Sequence, residues 1–143
     1  MNVKAILDDK GAGILTIDGN RLLSDAITVF EKESVGALVV TFPDQPLAGM
    51  LSERDMVRAL YAKGGSALDE KISAYMNQNI ITISPETTIV QAMEIMTEKR
   101  VRHLPVLQKG SLVGLVSIGD VVKKRISLSE AEAEALKNYI VSG

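Results

Sequence analysis

The chain reads as an α+β protein built from two tandem βαββα repeats packed with pseudo-two-fold symmetry. Three observations predict this. The pattern Gly, two apolar residues, Ser, two variable residues, Asp occurs at Gly49 to Asp55 and again at Gly114 to Asp120, 65 positions later. Each copy follows a strand-like apolar run and leads into a helix-like run. The correspondence also extends upstream, as a true repeat requires.

Taken in order, Val3 to Leu7 resembles Ile72 to Met76 in pattern, and Thr16-Ile17 matches Thr82-Ile83. Leu22, Leu23, Ala26, Ile27 and Phe30 then recur at helical spacing, as do Ile89, Ala92, Met93 and Met96. Ser24 is a candidate cap for the first helix, and Ser84-Pro85-Glu86 or Thr88 for the second. Ala37 to Val40 and His103 to Leu107 follow as strands, then turns at Pro43 to Pro46 and Lys109-Gly110. Leu47 to Leu51 and Leu112 to Val116 are the next strands, leading into helices from Asp55 to Tyr61 and from Asp120 to Ile126. The repeats therefore span 3–64 and 72–127. A glycine-rich, exposed linker joins them over 65–71, and a tail follows over 128–143. In that tail Ser129 to Glu132 has the capping-box form and opens a short helix through Leu136, Tyr139 and Ile140. Its apolar stripe suits either the core or a second subunit.

With 143 residues, 46% apolar and 24% charged, the composition is that of a globular protein whose two halves share a core. A net charge of −2 argues against a nucleic-acid binder. No cysteine and a single histidine leave no thiolate or histidine-cluster metal site. No apolar run approaches the ~20 residues that span a bilayer, and the N-terminus lacks a signal-peptide core, so a cytoplasmic location is expected.

The βαββα repeat ending in Gly-h-h-Ser-x-x-Asp, where h is apolar, resembles the CBS domain, and two in tandem resemble the CBS pair or Bateman module. Val101 to Val106 and Gly114 to Val122 also look like bacterial members. The resemblance covers residues 3 to 126. It implies a regulatory module without catalytic activity. Such pairs bind AMP, ADP, ATP, NAD(H) or S-adenosylmethionine in the cleft between repeats, commonly as homodimers, and most are joined to an effector. A stand-alone pair acting on an unidentified partner protein is therefore expected.

By the same resemblance Asp55 and Asp120 accept the ribose hydroxyls. A carboxylate offers acceptors to two adjacent donors. Ser52 and Ser117 match the phosphate-contacting hydroxyl at a helix start, where backbone N–H groups also favour an anion. Thr16, Ile17, Thr82 and Ile83 match the segment that frames the adenine. Arg54, Arg100, Arg102 and His103 supply positive charge for phosphate. The aligned first-repeat positions Ser34, Gly36 and Ala37 cannot, and Gly119 stands where the first motif has Arg54, so the half-sites are unequal.

Each assignment has a structural competitor. Asp55 and Asp120 could be helix N-caps. Arg102 and His103 could be a solvated strand end, and Arg58 with Lys123 to Arg125 solvated helix faces. A Ser-His-Asp hydrolase lacks its Gly-x-Ser-x-Gly elbow, and no Walker loop is present. The main alternative function is a ligand-free dimerisation scaffold.

Overall fold

A computed structural model describes residues 1–11 and 13–142, with the backbone alone at Ser142. The last residue of the expected tail, Gly143, lies outside them. The chain divides into two compact units that cut across the sequence repeats. The first-repeat unit runs from Gly13 to Ile81, and the second-repeat unit joins the N-terminal segment to everything from Thr82 onward. Thus α1 (Val3–Lys10), which opens the chain, packs in the second-repeat unit.

In the first-repeat unit β1 (Thr16–Asp18), β2 (Ala37–Phe42) and β3 (Gln45–Ser52) form a sheet in the order β1-β2-β3. β1 is parallel to β2, with Thr16 opposite Val39. β2 is antiparallel to β3, with Ala37 opposite Ser52. The run Ala37 to Val40 is fully apolar because all four residues are buried. α2 (Leu23–Glu33) buries Leu23 and Ala26, and α3 (Glu53–Lys63) buries Met56 and Ala59. These join Leu38, Val40, Leu51 and Ile72 in one core, each large aliphatic side chain worth about 1.5–3 kcal/mol.

Three expectations are corrected here. Leu22, not Ser24, precedes α2; its backbone N–H donates to the Asp25 carboxylate at 3.2 Å. Ile27 has helical spacing but is 40% exposed. The segment expected to be an exposed linker forms a 3₁₀ turn, Gly64–Asp69, with Ala67 fully buried in the core. The Ser66 hydroxyl donates to the Lys63 carbonyl at 2.8 Å, Lys63 pairs with Glu70 at 2.8 Å, and the Tyr75 hydroxyl donates to Glu70.

The second-repeat unit adds α4 (Ile89–Lys99), β4 (His103–Gln108), β5 (Ser111–Ser117) and α5 (Ile118–Ser142). β4 and β5 are antiparallel, with His103 opposite Ser117. Its buried apolar residues include Val3, Ile6, Ile83, Ile89, Ala92, Met96, Leu104, Val106, Val116 and Val121. Thr88 caps α4 in a capping box: its hydroxyl accepts the Gln91 N–H at 3.0 Å and the Gln91 side chain accepts the Thr88 N–H at 2.9 Å. The strand expected at Thr82-Ile83 shrinks to one parallel bridge, Ile83 with Val106, because Pro85 follows and has no N–H to continue a ladder. The two C-terminal helices expected are one helix of 25 residues. Ser129 to Glu132 lies inside it, since no glycine or proline between Ile126 and Ser129 breaks the helix there.

The aligned lead segments make the same backbone hydrogen bonds. Val3 N–H donates to Thr87 O at 2.8 Å and Lys4 N–H to Pro85 O at 2.9 Å; Ile72 N–H donates to Arg21 O at 2.8 Å and Ser73 N–H to Gly19 O at 3.0 Å. Each segment therefore docks on the repeat it does not precede.

Candidate functional site

Both Ser-x-x-Asp motifs sit where a strand ends and a helix begins, and both fold as reciprocal caps. Ser52 is the extended N-cap of α3. Its N–H donates to Asp55 Oδ2 at 2.8 Å, its hydroxyl donates to the same oxygen at 3.0 Å, and its Oγ accepts the Asp55 N–H at 3.3 Å. At the start of α5, Ser117 N–H donates to Asp120 Oδ2 at 2.9 Å and Ser117 Oγ accepts the Asp120 N–H at 3.1 Å. The aspartates are thus third residues of a capping box rather than N-caps, and the serines do the capping. A helix start with its first N–H groups satisfied only in part favours a negative ligand group.

The cap engages Oδ2 in both turns. Asp55 Oδ1 has only Arg58 nearby, at 3.9 Å, and Asp120 Oδ1 has no hydrogen-bond donor among the described residues. Among the described residues, one carboxylate oxygen per motif thus lies outside the capping bonds.

The surroundings differ. Lys10, at the end of α1, donates from Nζ to Asp120 Oδ2 at 2.8 Å and to Leu115 O at 2.9 Å. Next to it Asp9 accepts from Lys124 at 2.6 Å, so two ion pairs fasten α1 to α5. Burial alone would push the Asp120 carboxyl up. The Lys10 ammonium and the Ser117 N–H and hydroxyl outweigh burial and hold it below its ordinary 3.8.

Thr16 is exposed and Ile17 buried on β1. Across β2 they share the sheet end that carries Ser52, with β1 and β3 about 10 Å apart at two strand spacings. Thr82 is exposed and Ile83 buried, bridging to β4, whose first residue His103 lies opposite Ser117. Each unit so gathers its Thr-Ile pair, serine and aspartate at one sheet end.

Arg54 is exposed in the first turn of α3. Arg102 is exposed, and its carbonyl accepts the Ile118 N–H at 2.8 Å, which puts it beside the second motif. The Gly36 carbonyl does the same for Glu53 at 3.1 Å, so the sequence alignment of 36 with 102 holds in space. Arg100 sits further off, as the C-cap of α4 with φ 55°, the left-handed conformation that Ser34 adopts after α2.

Sequence reasoning missed two contributors. Lys10 is 110 residues from Asp120, and no local pattern signals that contact. The motif glycines were read only as markers. A Cβ at Gly114 would lie 2.4 Å from Leu7 Cδ2; at Gly49 it would lie 2.8 Å from Met76 Sδ and 3.1 Å from Asn77 O. Each glycine admits the docked lead segment, a requirement legible only if the exchange of segments is known.

The surface concavity of about 470 Å³ between α4 and α5 is lined by Val90, Met93, Glu94, Thr97, Glu98 and Arg125, and none of the proposed contacts lies on it. Among the described residues no cluster of His, Cys, Asp or Glu could hold a metal, and no helix is long and apolar enough to cross a membrane.

A repeated strand-to-helix turn, closed each time by a Ser-x-x-Asp capping box, defines a module built from two repeats. The chain belongs to the CBS domain family, whose model matches residues 6–62 and again 72–127. It is 39% identical over 123 residues to the mitochondrial CBS domain-containing protein CBSX3 of Arabidopsis thaliana, covering 83% of this chain and 60% of that protein's length. It is 26% identical to the CBS domain-containing protein YhcV of Bacillus subtilis, over 95% of both chains. The crystal structure of the CBS-domain containing protein ATU1752 from Agrobacterium tumefaciens superposes with a TM-score of 0.85 at 39% identity, covering 87% of this chain and 92% of that one. The CBS domain pair of protein MJ0100, solved in complex with 5′-methylthioadenosine and S-adenosyl-L-methionine, shares the fold at 22% identity and a TM-score of 0.74, covering 86% and 98%. CBS pairs are regulatory modules.

Proposed function

We propose that this protein is a nucleotide sensor. It binds an adenine nucleotide (AMP, ADP, ATP or NAD(H)) and relays the binding to a partner protein, catalysing nothing and requiring no metal or other cofactor. The observation that carries this reading is the doubled capping box, which keeps one oxygen of Asp55 and of Asp120 open to a ribose diol. Ser52 and Ser117 present helix-start N–H groups to phosphate, with Arg54, Arg100, Arg102 and His103 as sources of positive charge. Thr16-Ile17 and Thr82-Ile83 frame the base. The adenosyl ligands of the MJ0100 pair support the adenine class. The sensor works as a cytoplasmic homodimer.

The test is a thermal-shift panel with adenosine, AMP, ADP, ATP, NAD, NADH, GTP and S-adenosylmethionine. A ligand at 100 times its Kd stabilises by about 2.7 kcal/mol, several degrees for a domain of this size. Stabilisation by adenine compounds and not by GTP is expected. A second reading, a ligand-free scaffold, has its own support: the caps already give each serine and aspartate internal partners. A flat response across the whole panel would favour it over the sensor.

A further inference from the structure

α5 runs far beyond what its own unit covers. Val121 is fully buried, yet every residue from Ser129 to Val141 is exposed, including Leu136 at 61% and Ile140 at 69%. Most helical stability in proteins comes from packing of an apolar face, and this stretch finds no such packing within its own unit. The spacing is that of a coiled-coil seam, apolar except at Ser129. Val122, Ile126, Ser129, Ala133, Leu136 and Ile140 alternate by four and three, with Val122 and Ile126 already 41% and 54% exposed. In heptad terms Ile126, Ala133 and Ile140 are a positions, and Val122, Ser129 and Leu136 are d positions.

We propose that the C-terminal half of α5 pairs with α5 of a second copy of this chain as a parallel two-stranded coiled coil. The flanking charges choose both partner and direction. Arg125 and Glu132 are at g, Glu130 and Lys137 at e. Parallel pairing sets each g against the e five residues on in the other copy: Arg125 meets Glu130, and Glu132 meets Lys137, both attractive. Antiparallel pairing sets Glu130 against Glu130 and Lys123 against Lys137, both repulsive. Small residues at Ser129 and Ala133 let the two backbones approach. The inference rests on the homodimer proposed above and is independent of any nucleotide.

The absence of cysteine gives the test a silent background. In the otherwise unchanged full chain, Ala133→Cys under mild oxidation is expected to give a disulfide-linked dimer as the major species. A disulfide needs Cα atoms about 4.4–6.8 Å apart, which facing a positions offer and outward f positions do not. Ala131→Cys, at f, makes the same chemical change two residues away and is expected to stay uncrosslinked. Adding Leu136→Glu to Ala133→Cys is expected to abolish the product. Equal crosslinking at 131 and 133 overturns the proposal. So does preferred crosslinking of a Ser129→Cys and Ala133→Cys mixture, the antiparallel signature. If light scattering shows a dimer but Ala133→Cys does not crosslink, this surface is wrong and the dimer stands. A monomer by light scattering removes both.

Discussion

The Asp55 and Asp120 turns share a backbone and differ in electrostatics. Both cap a helix through Oδ2. At Asp55 the remaining capacity of Oδ2 goes to the Ser52 hydroxyl, and the nearest cation, Arg58, stands 3.9 Å off. At Asp120 it goes to Lys10. The duplicated motif reproduces geometry because geometry is local to seven residues. Charge is supplied from elsewhere: the docked lead segments align Lys10 with the neutral Asn79. A repeat can therefore keep the same capped turn twice and still differ in the charge beside it.

The largest expected effect tests what the turns share. Asp55→Ala and Asp120→Ala are each expected to weaken nucleotide binding at least several-fold by calorimetric titration, since a hydrogen bond to a charged group is worth roughly 1.5–3 kcal/mol. Each also loses a capping partner, about 1 kcal/mol of stability. Affinity unchanged in both variants, with that stability loss present, would leave the turn a cap and nothing more.

Next come the glycines, where the comparison sharpens. Gly114→Ala and Gly49→Ala are each expected to cost about 1–3 kcal/mol in denaturant melts by overpacking. The three atoms nearest a Cβ at Gly114 all belong to the Leu7 side chain, so adding Leu7→Ala should recover part of the loss. At Gly49 the backbone oxygen of Asn77 remains 3.1 Å away whatever Met76 does, so Met76→Ala should recover less. Equal recovery in the two double-mutant cycles would contradict that difference.

The smallest effect belongs to Lys10. Its side chain is 39% exposed and that of Asp120 is 24% exposed, so screening limits the pair to about 0.2–1 kcal/mol. Because the Asp120 pKa is lowered on folding, its contribution is present above its unfolded value of 3.8 and is lost as pH falls through the lower folded one. Lys10→Met is expected to reduce stability slightly at neutral pH and to flatten the acid loss below that value. An unchanged acid limb in pH-dependent melts would show that Lys10 does not set the carboxyl's titration.

Much of the fold was legible because it is periodic. The 2- and 3.6-residue patterns located β2 to β5 and α2 to α4 within a few residues. Expectations failed where a local signal met a competing constraint: Ser24 and Ser129 look like caps but lie inside helices, and the glycines at 64 and 65 look like a linker but lead into a turn that buries Ala67. The one-residue offset between repeats, 66 before the strand pairs and 65 after them, falls in the bulged register, where Gln45 to Gly49 takes the place of Ser111 to Gly114.

By itself the sequence determined the duplicated βαββα plan and the Ser-x-x-Asp turns, because both follow from short-range periodicity and from repetition. Only the tertiary structure decided which repeat each lead segment docks on, why the motif must begin with glycine, and that Lys10 sits on Asp120. Those are contacts between residues tens to more than a hundred positions apart, set by packing and leaving no trace in any local pattern.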